Sequence, residues 1–203
     1  TDGNLTVTDG SKGKTGAVED LEFVKGTLDV QNGQLGYYGP TGGTNGGLIC
    51  NGDSGTVTIR GGTVLGLTVN DGVSVTVSGG SQHAGSWFND DTLNITGGTF
   101  SNVYFCNNGG TIAISGGTFG SIVNNDASTL IPPMSLLEKG YAFFDGDGNV
   151  QDGSRSDYLR DVTVKEHTHD FSTNNTCACG ATLPHEHCIC GGDIQDGGHS
   201  AHK

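Results

Sequence analysis

The chain has few basic residues, few prolines and no long apolar run. Lysine and arginine together number 9 against 22 acidic residues, which gives a net charge of −13 over 203 residues. Because a surface of this sign repels phosphate backbones, the composition argues against a nucleic-acid-binding protein. No apolar run approaches the ~20 residues that a helix needs to cross a bilayer, so we expect no membrane insertion within this segment.

The low apolar and proline contents also narrow the fold class. Only 33% of the residues are hydrophobic, and the chain has 4 prolines but 37 glycines. A low apolar fraction suits a thin rod with a narrow core. Because the glycines recur at regular intervals in the middle of the chain, they indicate turn-dense β structure rather than a disordered linker.

The start of the chain and its composition bear on its location. No signal peptide is visible and the chain begins at Thr1 rather than at a methionine, which suggests a processed or excised piece of a larger exported protein. The scarcity of Lys and Arg and the hydroxyl- and glycine-rich pattern fit a cell exterior. We therefore expect a secreted or cell-surface protein.

One short pattern returns four times between positions 55 and 126. Each copy alternates apolar and mostly hydroxylated residues and ends in a glycine pair, over 56–62, 74–80, 92–98 and 111–117. The pairs begin at 61, 79, 97 and 116, so the period is 18 or 19 residues. The alternation indicates a strand with one buried face. A unit this small at a fixed period predicts a solenoid, in which successive rungs bury each other's apolar side.

A second row of residues repeats with nearly the same period. Its members are Asn51, Asn70, Asn89, Asn107 and Asn124, spaced 19, 19, 18 and 17 residues apart. Stacked about 4.8 Å apart, identical amides can form a hydrogen-bonded ladder. Two neighbouring rows compete for the core: one begins with Cys50, and the other consists of Ile49, Thr68, Trp87, Phe105 and Ile122.

The cysteines of this region predict packing rather than a bridge. Cys50 and Cys106 occupy equivalent places in rungs three apart, which puts them about 14 Å from each other. A disulfide needs a Cα separation under ~7 Å. We therefore interpret both as small buried hydrophobes.

Residues 1–54 contain less regular rungs. The segments 5–10 and 28–33 match the later strands, and the long gap between Val30 and Ile59 predicts a loop around 37–43. In that loop Tyr37 and Tyr38 either contact a sugar or partner protein or cover the flank of the coil. No capping helix precedes the first rung, so its bare edge favours pairing with a neighbouring molecule, unless a preceding segment covers it.

The rungs and asparagine turns resemble the right-handed parallel β-helix family, best known from polysaccharide lyases, such as the pectate lyases, and from phage spikes. The resemblance covers about residues 3–128 and implies a fold, not a chemistry. We therefore predict an all-β protein with a parallel β-helix, or β-solenoid, over 1–128.

After position 128 the period stops, and 129–165 is predicted to be a small α+β cap. The stretch 134–140 indicates one short helical turn, and 141–144 and 158–164 indicate strands. The segment 145–149 looks like the start of a calcium loop. It carries Val150 and Ser156 where such a loop needs Gly and Glu, so we expect a plain hairpin turn.

Residues 166–203 form a compositionally distinct tail. The tail holds six of the seven histidines and four of the six cysteines. Because it has little apolar content to fold around, a metal or disulfides must hold it together. Thiolate and imidazole donors at close spacing favour tetrahedral zinc. The candidate zinc ligands are His167, His169, Cys177, Cys179, His185, His187, Cys188, Cys190, His199 and His202.

The donors divide into two candidate zinc sites, with disulfides as the alternative. One site takes His167 or His169 with Cys177, Cys179 and His185 or His187, and the other takes Cys188, Cys190, His199 and His202. Disulfides from the 177/179 pair to the 188/190 pair suit an extracellular address but leave the histidines without a role. Cys-x-Cys also differs from the usual Cys-x-x-Cys zinc spacing, so both interpretations stay open.

The run 136–164, followed by His-Thr-His, Cys-x-Cys-Gly and His-x-His-Cys-x-Cys-Gly-Gly, resembles a recurring unit in large surface proteins of Gram-positive anaerobes. Those proteins join β-helical blocks through His/Cys-rich segments. The resemblance covers about 130–203 and implies a bacterial surface location and a modular architecture, without an activity.

The sequence favours a scaffold over an enzyme. An acidic stripe would consist of Asp53, Asp71, Asp90, Asp91 and Asp126, but each follows the asparagine row and suits a turn former. A catalytic groove needs long loops, which rungs 55–126 lack. No Ser/His/Asp or Cys/His arrangement is visible, and His83 is isolated. We therefore expect no catalytic residues.

Three function classes remain. The first is an extracellular structural or adhesive protein that assembles end to end into filaments, with a surface glycan or host protein as a further partner. The alternative is a carbohydrate-binding or polysaccharide-degrading protein. The third is an ice-binding face built from Thr56, Thr58, Ser74, Thr76, Thr92, Asn94, Thr111 and Ala113, whose regularity Arg60, Asn94 and Ala113 interrupt.

Overall fold

The computed structural model describes residues 4–7, 17–18, 20–38, 44–70, 72–82, 85–126, 129–154 and 158–168, together with position 178. In chain order the strands are β1 Asn4–Val7, β2 Ala17–Val18, β3 Asp20–Val30, β4 Gln34–Leu35, β5 Tyr37–Tyr38, β6 Thr44–Asn45, β7 Gly47–Ile59, β8 Thr63–Val64, β9 Leu67–Val69, β10 Val73–Val77, β11 Ser81–Gln82, β12 Gly85–Asn89, β13 Thr92–Ile95, β14 Thr99–Phe100, β15 Val103–Asn107, β16 Thr111–Ile114 and β17 Thr118–Asp126. After them come β18 Thr129–Ile131, a 3₁₀ helix Pro133–Leu136, β19 Tyr141–Phe144, β20 Val150–Gln151 and β21 Tyr158–Glu166.

Each rung of the coil has three sides. Face A contains β1, the ends of β3 and β7, and then β10, β13 and β16, with Thr56, Ser74 and Thr92 in one register. Face B contains β2, β4, β8, β11, β14 and the start of β17. Face C contains the starts of β3 and β7, then β9, β12, β15 and the rest of β17. Adjacent strands of each face pair in parallel, apart from β8 and β11, where the two rungs are joined by the hydrogen bond from Ser81 N to Gly62 O at 2.8 Å. This pattern confirms the predicted parallel β-solenoid.

The glycine pairs stack in columns where face A meets face B. A Cβ on Gly97 would lie 2.6 Å from the carbonyl oxygen of Ser78 in the rung before, closer than real Cβ atoms approach other atoms. The second glycine of each pair has a left-handed backbone, with φ of 86° at Gly80 and 101° at Gly98. The first position must therefore be glycine because a side chain would clash with the rung before. The second favours glycine because its backbone is left-handed.

The core is a stack of inward columns. Face A contributes two aliphatic columns, which include Val57, Val75 and Leu93, all 0% exposed. An aromatic group lies beside them, with Phe100 and Phe119 stacked at 4.7 Å between ring centres. Trp87 packs edge-on against Phe100 at 5.5 Å and against Phe105 at 6.2 Å. Neighbouring rungs thus supply the burial that one rung lacks.

The predicted loop before Gly47 is a hairpin inserted between face B and face C. β5 and β6 pair antiparallel, with Tyr37 opposite Asn45. The insertion leaves the parallel register of β3 and β7 on face A intact, because Val30 still lies opposite Ile59. The side chains of Tyr37 and Tyr38 lie outside the described part of the structure, so their predicted contacts stay a prediction.

The asparagine row on face C forms pairs instead of one ladder. The side-chain amide of Asn70 donates to the side-chain oxygen of Asn51, and Asn89 Nδ2 donates to Asn107 Oδ1 at 3.0 Å. Between these pairs the register shifts by one residue, because Asn89 lies opposite Val69. The predicted five-membered ladder is therefore wrong, since the rungs differ in length at the corner before face C.

The same shift decides which row faces the core. Cys50 and Val69 are buried on the earlier rungs, whereas Trp87, Phe105 and Ile122 are the buried residues on the later rungs. Each of the two competing rows is therefore inward over part of the coil.

Antiparallel strands cover the last rung. β21 pairs with β17, with Ile122 opposite Leu159, and β18 pairs with the end of β17. β19 then pairs with β21, and β20 pairs with β19. Asn124 Nδ2 donates to Ser135 Oγ at 2.9 Å, which ties the last rung to the 3₁₀ helix. Parallel pairing of the coil thus gives way to antiparallel pairing after β17.

The helical turn predicted over 134–140 is the 3₁₀ helix Pro133–Leu136. It ends because Leu137 is extended, with ψ of 139°, and forms a parallel bridge with Ile114. The N–H of Glu138 then donates to the Ile114 carbonyl at 2.9 Å. The predicted α component of this segment is therefore wrong, because in its described residues the chain after β17 is β structure with one 3₁₀ turn.

Candidate functional site

The predicted zinc ligands lie mostly outside the described residues. These are His169, Cys177, Cys179, His185, His187, Cys188, Cys190, His199 and His202. His167 is described: its N–H donates to the Gly140 carbonyl at 2.8 Å, and its ring meets Phe144 edge-on at 6.0 Å. Elsewhere in the described ranges, no three His, Cys, Asp or Glu side chains are placed to hold a metal ion. The zinc and disulfide interpretations both stay predictions.

The calcium-like loop is a hairpin turn, as predicted. Asp145 Oδ1 accepts backbone hydrogen bonds from Asp147 at 3.0 Å and Asn149 at 2.8 Å. Its other carboxyl oxygen accepts from Gln151 Nε2 at 3.0 Å. The hydrogen bonds from Asn149, above all, hold the pKa of Asp145 below its usual value. The carboxylate therefore serves to close the turn between β19 and β20.

The two cysteines of the coil are free thiols in unequal environments. Cys50 faces inward and is 0% exposed, and burial raises the pKa of its thiol to about 12. Cys106 pairs with Phe88 rather than aligning with Cys50, and it is half-buried. Burial raises the pKa of Cys106 as well. Their predicted equivalence is wrong because of the register shift on face C.

Asp91, one of the described acidic residues after the asparagine row, holds a corner of the coil. Asp91 Oδ2 accepts from the N–H of Gly72 at 2.6 Å, and Asp91 Oδ1 accepts from Thr92 Oγ1 at 3.0 Å. These bonds make Asp91 the turn former that the sequence predicts. The side chains of Asp53, Asp71 and Asp126 lie outside the described part.

Face A carries two polar columns on its outer surface. One column contains Thr27, Thr56, Ser74, Thr92 and Thr111, and the other contains Asp29, Thr58, Thr76, Asn94 and Ala113. Arg60 Nε donates to Asp29 Oδ1 at 3.0 Å. A hydrogen bond from Gln31, followed by that from Arg60, lowers the pKa of Asp29. Face A is thus polar and interrupted by an ion pair.

A strip of exposed aromatic side chains crosses face C. Phe88 on β12, Tyr104 on β15 and Tyr158 on β21 are 44%, 50% and 51% exposed. Val123 on β17 lies opposite Tyr104 on one side and Tyr158 on the other. The guanidinium carbon of Arg160 lies 5.1 Å from the centre of the Tyr158 ring. We call these five residues the aromatic strip.

Strand alternation sets the outward direction of the strip. Tyr104 lies between Val103 and Phe105, which are both buried in the core cluster, and successive side chains on a strand point to opposite faces. Val123 is only 8% exposed and yet is not part of that cluster, as expected for an outward side chain between two tyrosines. The strip is therefore an apolar surface on the outside of the rod.

The comparisons with known proteins add no family. No family model, no curated protein and no solved structure matches the chain. In the described part of the chain, no helix has the length and apolar character needed to span a membrane.

Sequence reasoning missed the aromatic strip. Phe88 follows Trp87, and Tyr104 precedes Phe105, so two large apolar residues stand side by side where alternation would separate a buried from an exposed one. Placing Tyr158 beside them also requires knowing that β21 pairs with β17. These residues could be placed only once the strand register of face C was known.

Proposed function

We propose that this chain is a non-enzymatic structural and adhesive protein of a bacterial cell surface, whose β-solenoid units join end to end into filaments. The observation that carries the proposal is the difference between the two ends of the described rod. At one end, β1 has β3 as its only described strand partner. At the other end, β18 and β21 cover the edge of β17.

Unlike ends favour head-to-tail assembly. An open parallel edge presents unpaired N–H and C=O groups, which another strand can satisfy. A contact between one end and a different end on the next unit is heterologous, so it repeats into an open filament instead of closing as a dimer. In the proposed assembly the β1 edge of one subunit receives the β21 end and the tail of the next.

The tail is proposed as the joint between subunits. Ten histidine and cysteine side chains between His167 and His202 supply enough donors for two zinc sites, or two disulfides when oxidised. Zinc binds deprotonated imidazole and thiolate, so a zinc joint weakens as pH falls. Loss of the joint would therefore weaken assembly and leave the coil folded, because the coil has its own core.

Electron microscopy and sedimentation velocity of the full chain test the proposal. We expect filaments that disperse with a chelator if the joint holds zinc, or with a reductant if it is disulfide-bonded. Elemental analysis with a free-thiol count distinguishes these two. Exchange of Cys188 and Cys190 for serine should shorten the filaments, and Cys106→Ser is the control for loss of a thiol outside the tail. Filaments of unchanged length and metal content in the double variant would contradict the joint.

The alternative functions have separate assays. A polysaccharide-degrading enzyme releases reducing ends from uronic-acid polymers, and an ice-binding face produces thermal hysteresis. The polar columns of face A favour the second activity only weakly, because the Arg60–Asp29 ion pair and Ala113 interrupt them. Activity in either assay without filaments would replace the structural proposal.

A further inference from the structure

The size of the aromatic strip fits a small ligand better than a protein. Burying a whole aromatic side chain removes about 150–250 Å² from water. Because Phe88, Tyr104 and Tyr158 are each about half exposed, the three rings together offer roughly 300 Å². A stable protein interface needs about 800 Å² from each partner. A second copy of the chain would therefore find too little apolar surface here.

The spacing of the rings indicates an elongated ligand. Tyr104 and Tyr158 flank Val123 on successive strands, which places them about 10 Å apart. Phe88 lies one strand further along the coil but opposite Cys106, so it is displaced by two residues, about 7 Å, to one side of the two tyrosines. The line through Tyr104, Val123 and Tyr158 runs along the axis of the coil. Two ring platforms at this distance match every second sugar of an extended linear oligosaccharide, whose C–H faces stack on aromatic rings while its hydroxyls stay hydrated.

The rings stand on a fixed sheet. β15 is paired on both sides, with β12 and β17, and the neighbours of Tyr104 on its own strand are core residues. Little backbone ordering would therefore be needed on binding, which favours affinity for a ligand that offers few contacts.

Arg160 makes the aromatic strip favour a negatively charged ligand. It lies over the Tyr158 ring and has no ion-pair partner among the described residues, whereas Arg60 on face A is paired with Asp29 at 3.0 Å. A guanidinium fork matches a carboxylate through two parallel hydrogen bonds. Although the chain as a whole carries −13, exposed charges more than about 8 Å away are largely screened at physiological salt.

We propose that the aromatic strip is a binding site for a linear oligosaccharide that contains a carboxylated sugar. Tyr104 and Tyr158 stack on two sugars that are separated by one other, Phe88 adds an apolar contact beside them, and Arg160 pairs with the carboxylate at the β21 end. The site lies on the side of the rod, so this inference goes beyond the structural role and does not depend on end-to-end assembly.

Calorimetric titration of the full chain with two matched probes tests the site. The probes are cellotriose and the triuronic acid in which its primary hydroxyls are oxidised to carboxylates. We expect the acidic probe to bind more tightly. Tyr104→Ala and Tyr158→Ala should each lower the affinity for both probes about tenfold. Arg160→Gln should lower the affinity for the acidic probe to that for cellotriose and leave cellotriose unchanged.

Two variants on face A serve as controls. Thr76→Ala and Arg60→Gln should bind both probes as the parent chain does. The proposal is overturned if neither probe binds at millimolar concentration, or if Tyr104→Ala binds like the parent. It is also overturned if the parent is a dimer that Tyr104→Ala converts to a monomer, because the strip is then an interface between copies. Filament formation is scored separately, so failure of one proposal leaves the other standing.

Discussion

The glycine columns give the sharpest test of the fold, through Gly97→Ala. The added Cβ would lie 2.6 Å from Ser78 O, below the 3.0 Å that real Cβ atoms respect. The obstacle is backbone, so one rung must move away from the next. The backbone of Gly97 is not left-handed, so the penalty comes from the stacking of rungs alone.

The size of the effect follows from the contacts on either side of Gly97. Overpacking of this kind costs about 1–3 kcal/mol. Separating the rungs also strains the bonds from Thr96 N to Val77 O, 2.8 Å, and from Thr99 N to Gly80 O, 2.9 Å, each contributing about 1 kcal/mol. Alanine stiffens the unfolded chain and offsets about 0.4–1 kcal/mol. We expect a net loss of about 2–3 kcal/mol, or about 5–10 °C in Tm.

Urea unfolding and thermal melts of Gly97→Ala measure this loss, with Gly146→Ala as the matched control. Gly146 lies in the β19–β20 turn, where an added Cβ meets nothing within 4 Å. The control should therefore unfold like the parent chain or stabilise it by up to about 1 kcal/mol. Equal stability of the two variants would refute the close stacking of the glycine columns.

Two further predictions concern side chains with shifted pKa values. A thiol reagent at pH 8, followed by peptide mapping, should modify Cys106 well before Cys50, because Cys50 is fully buried with a pKa of about 12; equal rates would contradict the inward placement of Cys50. The pKa of Asp145 is lowered by its hydrogen bonds from Asn149. Its contribution to stability is therefore present above its unfolded pKa and lost as pH falls through the lower folded value. Asp145→Asn should remove this part of the acid dependence of the thermal melt, and an unchanged acid profile would contradict it.

The register of face A could be predicted from the sequence, and that of face C could not. On face A, every second residue is apolar and a glycine pair marks the corner, so Val57, Val75 and Leu93 align by inspection. On face C, apolar residues are adjacent, as in Trp87-Phe88, and the corner before them varies in length. A shift of one residue on such a strand exchanges the inner and outer rows.

The end of the coil shows a second limit of sequence reasoning. The sequence predicts strands over 141–144 and 158–164, close to the observed β19 and β21. It does not predict that β21 pairs antiparallel with β17, because strand partners depend on long-range packing. The placement of Tyr158 and Arg160 beside Tyr104 depends on that pairing, so the candidate site became visible only in the structure.

Detection of scalar couplings across hydrogen bonds by NMR tests the stacked coil most directly. The account predicts couplings from the amide nitrogens of Ser78, Thr96 and Ser115 to the carbonyl carbons of Ile59, Val77 and Ile95, whose N···O distances are each 2.8 Å. Each coupling links one rung to the next at the same position of the repeat. Couplings from these amides to carbonyls of a nearby antiparallel hairpin, or a different register in each rung, would contradict the solenoid.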